Sequence, residues 1–123
     1  MNKSKISEAE WEVMNVVWKR GSLTSREIVD QVSAGKGWDS STIRTLVRRL
    51  VSKGVLDIQA GSKPQCFEAR VSFDEFIQEE SRSFLDRGFG GKPEAMLLHF
   101  VEHTKLSRED IQKFRKILSK KGR

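Results

Sequence analysis

Between residues 38 and 54 the sequence places hydroxyl and guanidinium side chains at helical spacing. At 100° per residue, these side chains fall within about 60° of one direction around a helix. They are Ser41, Arg44, Thr45 and Arg48. Arginine can donate two hydrogen bonds to guanine, hydroxyl groups can pair with either base edge, and the threonine methyl group can contact thymine. The pattern therefore predicts a helix whose polar face can read base pairs in the major groove of DNA.

The charge of this stretch points the same way. Its basic residues are Arg44, Arg48, Arg49 and Lys53, and its single acid is Asp39. Over the whole chain, 23 Lys and Arg residues exceed 17 Asp and Glu residues, which gives a net charge of +6. An excess of basic side chains on one helix favours a polyanionic partner. Hydroxyl groups near the start of the same helix can also bind phosphate, because backbone amides point outward there.

Composition excludes several other classes of protein. A length of 123 residues fits one domain, or one small domain with an appendage. Residues 1–5 lead into no apolar segment, so we expect no secretory signal and no membrane partner, and we predict a cytoplasmic location. The lone Cys66 excludes an internal disulfide, and His99 and His103 lack a third ligand, so no metal site and no cofactor are predicted. Without a phosphate-binding loop or a nucleophile paired with a base, the chain is not expected to be an enzyme.

Three amphipathic helices are needed to position the polar face. Ser or Thr followed three residues later by Glu, the capping-box spacing, is expected to start the first two helices after Ser7 and Thr24. The third helix is expected to be capped by Asp39 or Ser40 and to run to about Lys53, before Gly54. Its apolar residues recur at three- and four-residue steps: Ile43, Leu46, Val47, Leu50 and Val51. One side of this helix is therefore expected to face a core and the other side to face solvent.

A β-hairpin is predicted directly after the third helix. Residues 55–59 and 67–71 have strand-like patterns and flank turn-forming residues at 60–64. Three helices followed by a two-stranded wing are typical of a winged helix-turn-helix, whose second and third helices bind DNA. The sequence thus predicts a mainly α fold with a small β-wing, with a DNA-binding domain over residues 1–71. The residues expected to contact bases or phosphates are Ser40, Ser41, Arg44, Thr45, Arg48, Arg49, Lys53 and Lys63.

The remaining residues, 72–123, are predicted to form three short helices. These begin near Phe73, near Pro93 and after Ser107. So short a segment buries too little surface to be stable alone, and its large apolar side chains need a partner. A second copy of the chain is the expected partner, because two-fold assembly is common and suits DNA sites with two half-sites. The residues of this helical dimerisation segment expected at the interface are Phe76, Phe84, Leu85, Met96, Leu97, Phe100, Val101, Ile111, Phe114 and Leu118.

Three segments of the sequence resemble the penicillinase-repressor family, the BlaI/MecI/CopY-type bacterial transcriptional regulators. They are the opening helix at residues 7–18, the stretch from Trp38 through residues 42–50, and residues 89–91 with 97–102. The resemblance implies a homodimeric repressor that binds palindromic operators with TACA/TGTA-like half-sites and controls β-lactam resistance or a related stress response. It also implies recognition-helix positions at Ser41, Thr42, Arg44, Thr45 and Arg48.

The resemblance further implies two possible routes of induction. In the β-lactam branch of the family, a sensor protease triggers cleavage of an Asn-Phe bond. The matching bond here is His99–Phe100, where histidine replaces asparagine. In the copper branch, C-x-C motifs bind metal, and a sequence with one cysteine has no such motif.

Two other functions fit a winged helix with a basic face. The first is a protein–protein interaction module, in which the basic face is incidental. The second is a nucleic-acid binder that tolerates any sequence, including an RNA binder. A salt-dependent gel shift with a genomic fragment distinguishes the first from a DNA-binding repressor, and a ratio of specific to random affinity near one would reveal the second.

Overall fold

The computed structural model describes residues 6–122 of the chain, which divide into two compact units between Glu80 and Ser81. The helices are α1 (Glu8–Arg20), α2 (Ser25–Lys36), α3 (Ser40–Ser52), α4 (Phe73–Phe89), α5 (Pro93–His103) and α6 (Arg108–Lys121). The strands are β1 (Leu23–Thr24), β2 (Leu56–Ile58) and β3 (Cys66–Ala69). The prediction of a mainly α fold with a small β-wing is confirmed. The expectation of no secretory signal concerns residues 1–5, which lie outside the described residues.

Local hydrogen bonds at the predicted positions start the first three helices. Before α1, the amide of Glu10 donates to Ser7 Oγ at 3.0 Å and the amide of Ser7 donates to Glu10 Oε1 at 2.7 Å. Thr24 and Glu27 form the same reciprocal pair before α2. Before α3, the cap is Asp39, whose Oδ1 accepts from the amide of Thr42 at 2.8 Å. Each cap stabilises its helix by about 1 kcal/mol.

The apolar faces of α1, α2 and α3 pack into the core of the first unit. Its most deeply buried side chains include Val13, Met14, Val17, Ile28, Ile43, Leu50, Val55 and Leu56. On α3, the predicted apolar stripe is buried except for the half-buried Val51. The turn between α2 and α3 is made at Gly37, whose φ of +71° is a backbone conformation that disfavours a Cβ atom. The core thus fixes which side of α3 remains in solvent.

The sheet has three antiparallel strands in the order β1-β3-β2, one more than the predicted two-stranded wing. Leu23 of β1 lies opposite Phe67, and Leu56 of β2 lies opposite Ala69. With only two residues, β1 is too short to show an alternating pattern, which is why the sequence did not reveal it. Pairing with β1 attaches the wing to the residue that caps α2.

Phe76 of α4 belongs to the core of the first unit. Its side chain is 1% exposed. Its ring packs edge-on against Trp11, with centroids 5.1 Å apart, and at a tilt of 44° against Trp18, with centroids 5.3 Å apart. Trp18 is held in turn by a 3.0 Å hydrogen bond from its Nε1 to the carbonyl oxygen of Val71. The prediction that placed Phe76 at a dimer interface is corrected, because a side chain with almost no exposed surface has none left to bury against a second chain.

The second unit contains the end of α4 with α5 and α6. Helix α4 ends at Phe89, and the chain then turns at Gly90, where φ is +59°. Phe84 packs against Phe89 and Phe100, with ring centroids 5.8 and 6.4 Å away. Many apolar side chains of this unit remain in solvent: Phe84, Leu97, Leu98, Phe100, Val101, Ile111, Phe114, Ile117 and Leu118.

The predicted division into a DNA-binding domain at 1–71 and a dimerisation segment at 72–123 is a division by function, and it stays a prediction. Among the described residues, no helix combines the length and apolar character that crossing a membrane requires.

Candidate nucleic-acid interface

Helix α3 carries a connected row of polar side chains on its solvent side. The hydroxyl of Ser41 donates to Asp39 Oδ1 at 3.0 Å, and the hydroxyl of Thr45 donates to the carbonyl oxygen of Ser41 at 2.9 Å. Arg48 Nη2 then donates to Thr45 Oγ1 at 3.2 Å. In this row, the side chains of Ser41 and Arg48 are exposed and that of Thr45 is half-buried. Because each hydrogen bond restricts the next side chain, the guanidinium of Arg48 is held near a defined position before any ligand binds.

The side chain of Arg44 extends from the same face toward the start of α2. Its Nη1 donates to Ser25 Oγ at 2.6 Å, while its side chain remains exposed. Ser25 is the first residue of α2, next to the Thr24 cap, where helix amides favour an anion. Ser25 was not among the residues predicted from the sequence. Its place directly after a capping residue, at the start of the helix before α3, is the signal that could have identified it.

Asp39 places one negative charge at the start of this face. Hydrogen bonds from the backbone and side chain of Thr42 and from the hydroxyl of Ser41 lower the pKa of the Asp39 carboxyl below its usual value. The carboxylate therefore stays ionised at neutral pH, and it is used for capping α3. Ser40 and Thr42, on either side of Ser41, are exposed and adjoin the same helix start.

The other predicted contacts lie at three different places in the first unit. Arg49 is exposed on α3, and Lys63 is exposed in the loop between β2 and β3. Lys53, at the end of α3, is instead paired with Glu10 of α1, with Nζ 2.6 Å from Oε1. Contact between Lys53 and phosphate stays a prediction, and its ammonium group already has a carboxylate partner in the fold.

The Glu10–Lys53 ion pair joins the start of α1 to the end of α3. Glu10 is 1% exposed, and among the described residues its Oε2 is buried without a hydrogen-bond partner. Burial alone would raise the pKa of Glu10, but hydrogen bonds from Lys53 and Ser7 and the charge of Lys53 outweigh it and lower the pKa. The capping box accounts for the hydrogen bonds between Glu10 and Ser7. No pattern in the sequence links Glu10 to Lys53, which is 43 positions away.

Replacing Glu10 by glutamine is expected to lower the free energy of unfolding at neutral pH by about 1–3 kcal/mol, because a charged hydrogen bond to Lys53 is lost. Glu10 has a lowered pKa in the fold, so its charge stabilises the protein above pH 4.5 and this contribution is lost as the pH falls through the lowered value. The variant should therefore lose less stability on acidification. Thermal unfolding between pH 3 and 7 measures this.

Glu27→Gln is the matched control for this experiment. Glu27 occupies the same capping-box position in α2, is exposed, and is paired with Thr24 rather than with a lysine. Its replacement is expected to have a smaller effect on stability. Equal losses in the two variants would show that the Glu10–Lys53 pair adds nothing to the cap.

The predicted cleavage positions His99 and Phe100 lie in the middle of α5 in the second unit. Both side chains are exposed, and the bond between them is part of a regular helix.

Comparison with known proteins identifies what this chain is similar to. The sequence profile of the family described as Penicillinase repressor matches residues 6–120. The methicillin resistance regulatory protein MecI of Staphylococcus aureus is 34% identical over 95% of both chains. The penicillinase repressor of Bacillus licheniformis is 34% identical over 93% of this chain and 89% of its own. A solution structure of monomeric Bacillus licheniformis BlaI in complex with the blaP half-operator aligns with a TM-score of 0.53 at 32% identity, and the alignment covers 59% of this chain and 89% of that one.

Proposed function

This chain belongs to the penicillinase repressor family, and we propose from its structure that it is a DNA-binding transcriptional repressor acting as a homodimer on a palindromic operator. The observation that carries this proposal is the polar face of α3. The opposite side of α3 is a buried apolar stripe, which fixes the orientation of the helix. The polar face itself carries the hydrogen-bonded row of Ser41, Thr45 and Arg48. A relative with the same winged-helix region binds a half-operator, which supports the same use of the region here.

Arg48 is the proposed base-reading residue, because its guanidinium is exposed and restrained by Thr45. Arg44, held by Ser25, is placed to contact DNA where α2 begins beside α3. The hydroxyls of Ser40, Ser41 and Thr42 surround the start of α3, where phosphate binding is favourable. Arg49 and Lys63 supply further positive charge for phosphates. Phosphate contacts set the position of the protein, and base contacts set its specificity.

The second unit supports a homodimer. It exposes large apolar side chains on α5 and α6, including Leu97, Leu98, Val101, Ile117 and Leu118, each at least half exposed. Large apolar side chains exposed in this number are stabilised when they are buried against another protein surface. A second copy provides an identical surface and also a second recognition helix, so the dimer can bind both half-sites of a palindrome.

The finer features implied by family resemblance complete the proposal. The operator is of the TACA/TGTA type, the repressor acts in the cytoplasm, and the chain performs no catalysis.

Cleavage by a sensor protease between His99 and Phe100 would require local unfolding of α5, because an extended backbone is needed in a protease cleft and this bond is helical.

Direct binding measurements test the proposal. In fluorescence anisotropy titrations at one salt concentration, the full chain is expected to bind a TACA/TGTA palindrome about 1,000-fold or more tightly than a random duplex of equal length. An affinity ratio near one would instead indicate a sequence-tolerant binder. Failure to bind either duplex would favour a protein-interaction module.

Arg48→Ala is expected to weaken operator binding by about 1–3 kcal/mol while leaving random-duplex binding nearly unchanged, because it removes a base contact. The same titrations measure both values. Arg82→Ala, which removes an exposed arginine of the second unit, serves as the matched control and should bind as the parent protein does. Equal weakening on the two duplexes would make Arg48 a phosphate contact, and no weakening would remove it from the interface.

A further inference from the structure

The two histidines of the sequence lie together on α5. His99 and His103 are one helical turn apart, and their rings stack with centroids 4.3 Å apart and planes 29° from parallel. Both side chains are exposed, so neither histidine is needed to fill a core. This placement leaves both imidazole rings exposed to solvent.

One hydrogen bond defines which nitrogen of His103 is available. Its Nδ1 lies 2.8 Å from the carbonyl oxygen of His99. Because a carbonyl oxygen only accepts hydrogen bonds, Nδ1 must carry the proton, and in the neutral ring Nε2 then keeps its lone pair. Histidines that bind metals use this same arrangement, in which the second ring nitrogen donates to a backbone carbonyl and fixes the tautomer.

Aromatic neighbours restrain the ring of His99. Phe89 packs against it at 5.6 Å, and Phe100 meets it edge-on at 5.9 Å. Two nitrogens that share a metal ion at bond lengths near 2.1 Å lie about 3.4 Å apart in tetrahedral geometry. With centroids 4.3 Å apart, the two rings already lie near the separation that a shared metal ion requires.

We propose that His99 and His103 form a two-nitrogen chelate for a divalent transition metal ion such as Zn²⁺, Ni²⁺ or Cu²⁺. Imidazole nitrogen is a preferred ligand of these ions. Within the described residues, no cluster of three or more His, Cys, Asp and Glu side chains could hold a metal. Water therefore fills the remaining coordination positions. The sequence predicted no metal site because a third ligand is missing, and a chelate of two histidines does not need one from the chain.

Titration of the untagged full chain with zinc or nickel chloride, followed by isothermal calorimetry, tests the site without DNA. Failure of metal binding therefore leaves the proposed repressor function standing. Because chelation by two linked ligands is far tighter than binding by one, His99→Gln and His103→Gln are each expected to weaken binding about 100-fold. Circular dichroism of each variant checks that helicity is unchanged.

Two controls separate a chelate from general affinity of histidine or cysteine for metals. The double variant Val101→His/His103→Gln keeps two histidines but places them about 200° apart around α5, and it should bind as weakly as His103→Gln. Cys66→Ser removes the free thiol of the first unit and should bind as the parent does. Parent-like binding by the double variant or by either single histidine variant would overturn the proposal, as would loss of binding in Cys66→Ser.

Discussion

Truncation after Glu80 is expected to give a folded monomer that binds a full palindromic operator about 10²–10⁴-fold more weakly than the intact chain. The first unit keeps its whole core, Phe76 included, together with α3 and the wing. It loses the exposed apolar surface of the second unit, and with it the linkage that makes the second half-site contact intramolecular. Analytical ultracentrifugation gives the mass, and anisotropy titration gives the affinity.

A duplex with one half-site is the control for this truncation. The fragment and the intact chain should bind it with similar affinities, because each uses one recognition helix there. A fragment that still sediments as a dimer, or that binds the full operator as tightly as the intact chain, would contradict the role given to the second unit.

Phe76→Ala is expected to lower the free energy of unfolding of the first unit by about 3–5 kcal/mol, as measured by urea denaturation followed through tryptophan fluorescence. The reason is a cavity beside Trp11 and Trp18, which surround a ring that is 1% exposed. For the same reason, truncation after Val71 should give a much less stable fragment than truncation after Glu80.

Phe73→Ala is the matched control, because Phe73 lies one turn earlier in α4, touches Trp18 edge-on at 5.3 Å, and is 44% exposed. Removing a ring that is partly in solvent leaves a smaller cavity and should cost clearly less stability. Equal costs for the two variants would show that Phe76 has no special place in the core.

Features that depend on neighbours in the chain could be predicted from the sequence. Ser7 and Thr24 cap their helices through residues three positions away, so a short pattern holds all the information needed. The apolar stripe of α3 and its polar reverse follow from helical periodicity in the same way. Local patterns of this kind were therefore sufficient to predict the fold class and most of the candidate DNA face.

Features that depend on distant residues could not be predicted. Strand β1 exists because Leu23 pairs with Phe67, and two residues carry no periodic signal of their own. Phe76 has the same spacing as an interface residue of an amphipathic helix, and only its packing against Trp11 shows that it belongs to a core. The pairing of Glu10 with Lys53 and that of Arg44 with Ser25 depend in the same way on how helices pack.

Strand β3 links the wing to the start of α2 within the first unit. One edge of β3 pairs with β1, which leads directly into α2 at Ser25, and the other edge pairs with β2. The loop between β2 and β3 is the wing tip and carries Lys63. The wing tip and the start of α2 are thus joined by hydrogen-bonded backbone. If the start of α2 and the wing tip both contact phosphates, the sheet keeps the distance between these two contacts nearly constant. Duplexes whose groove width matches it are bound without distortion, so operators can be distinguished by shape at base pairs that no side chain touches.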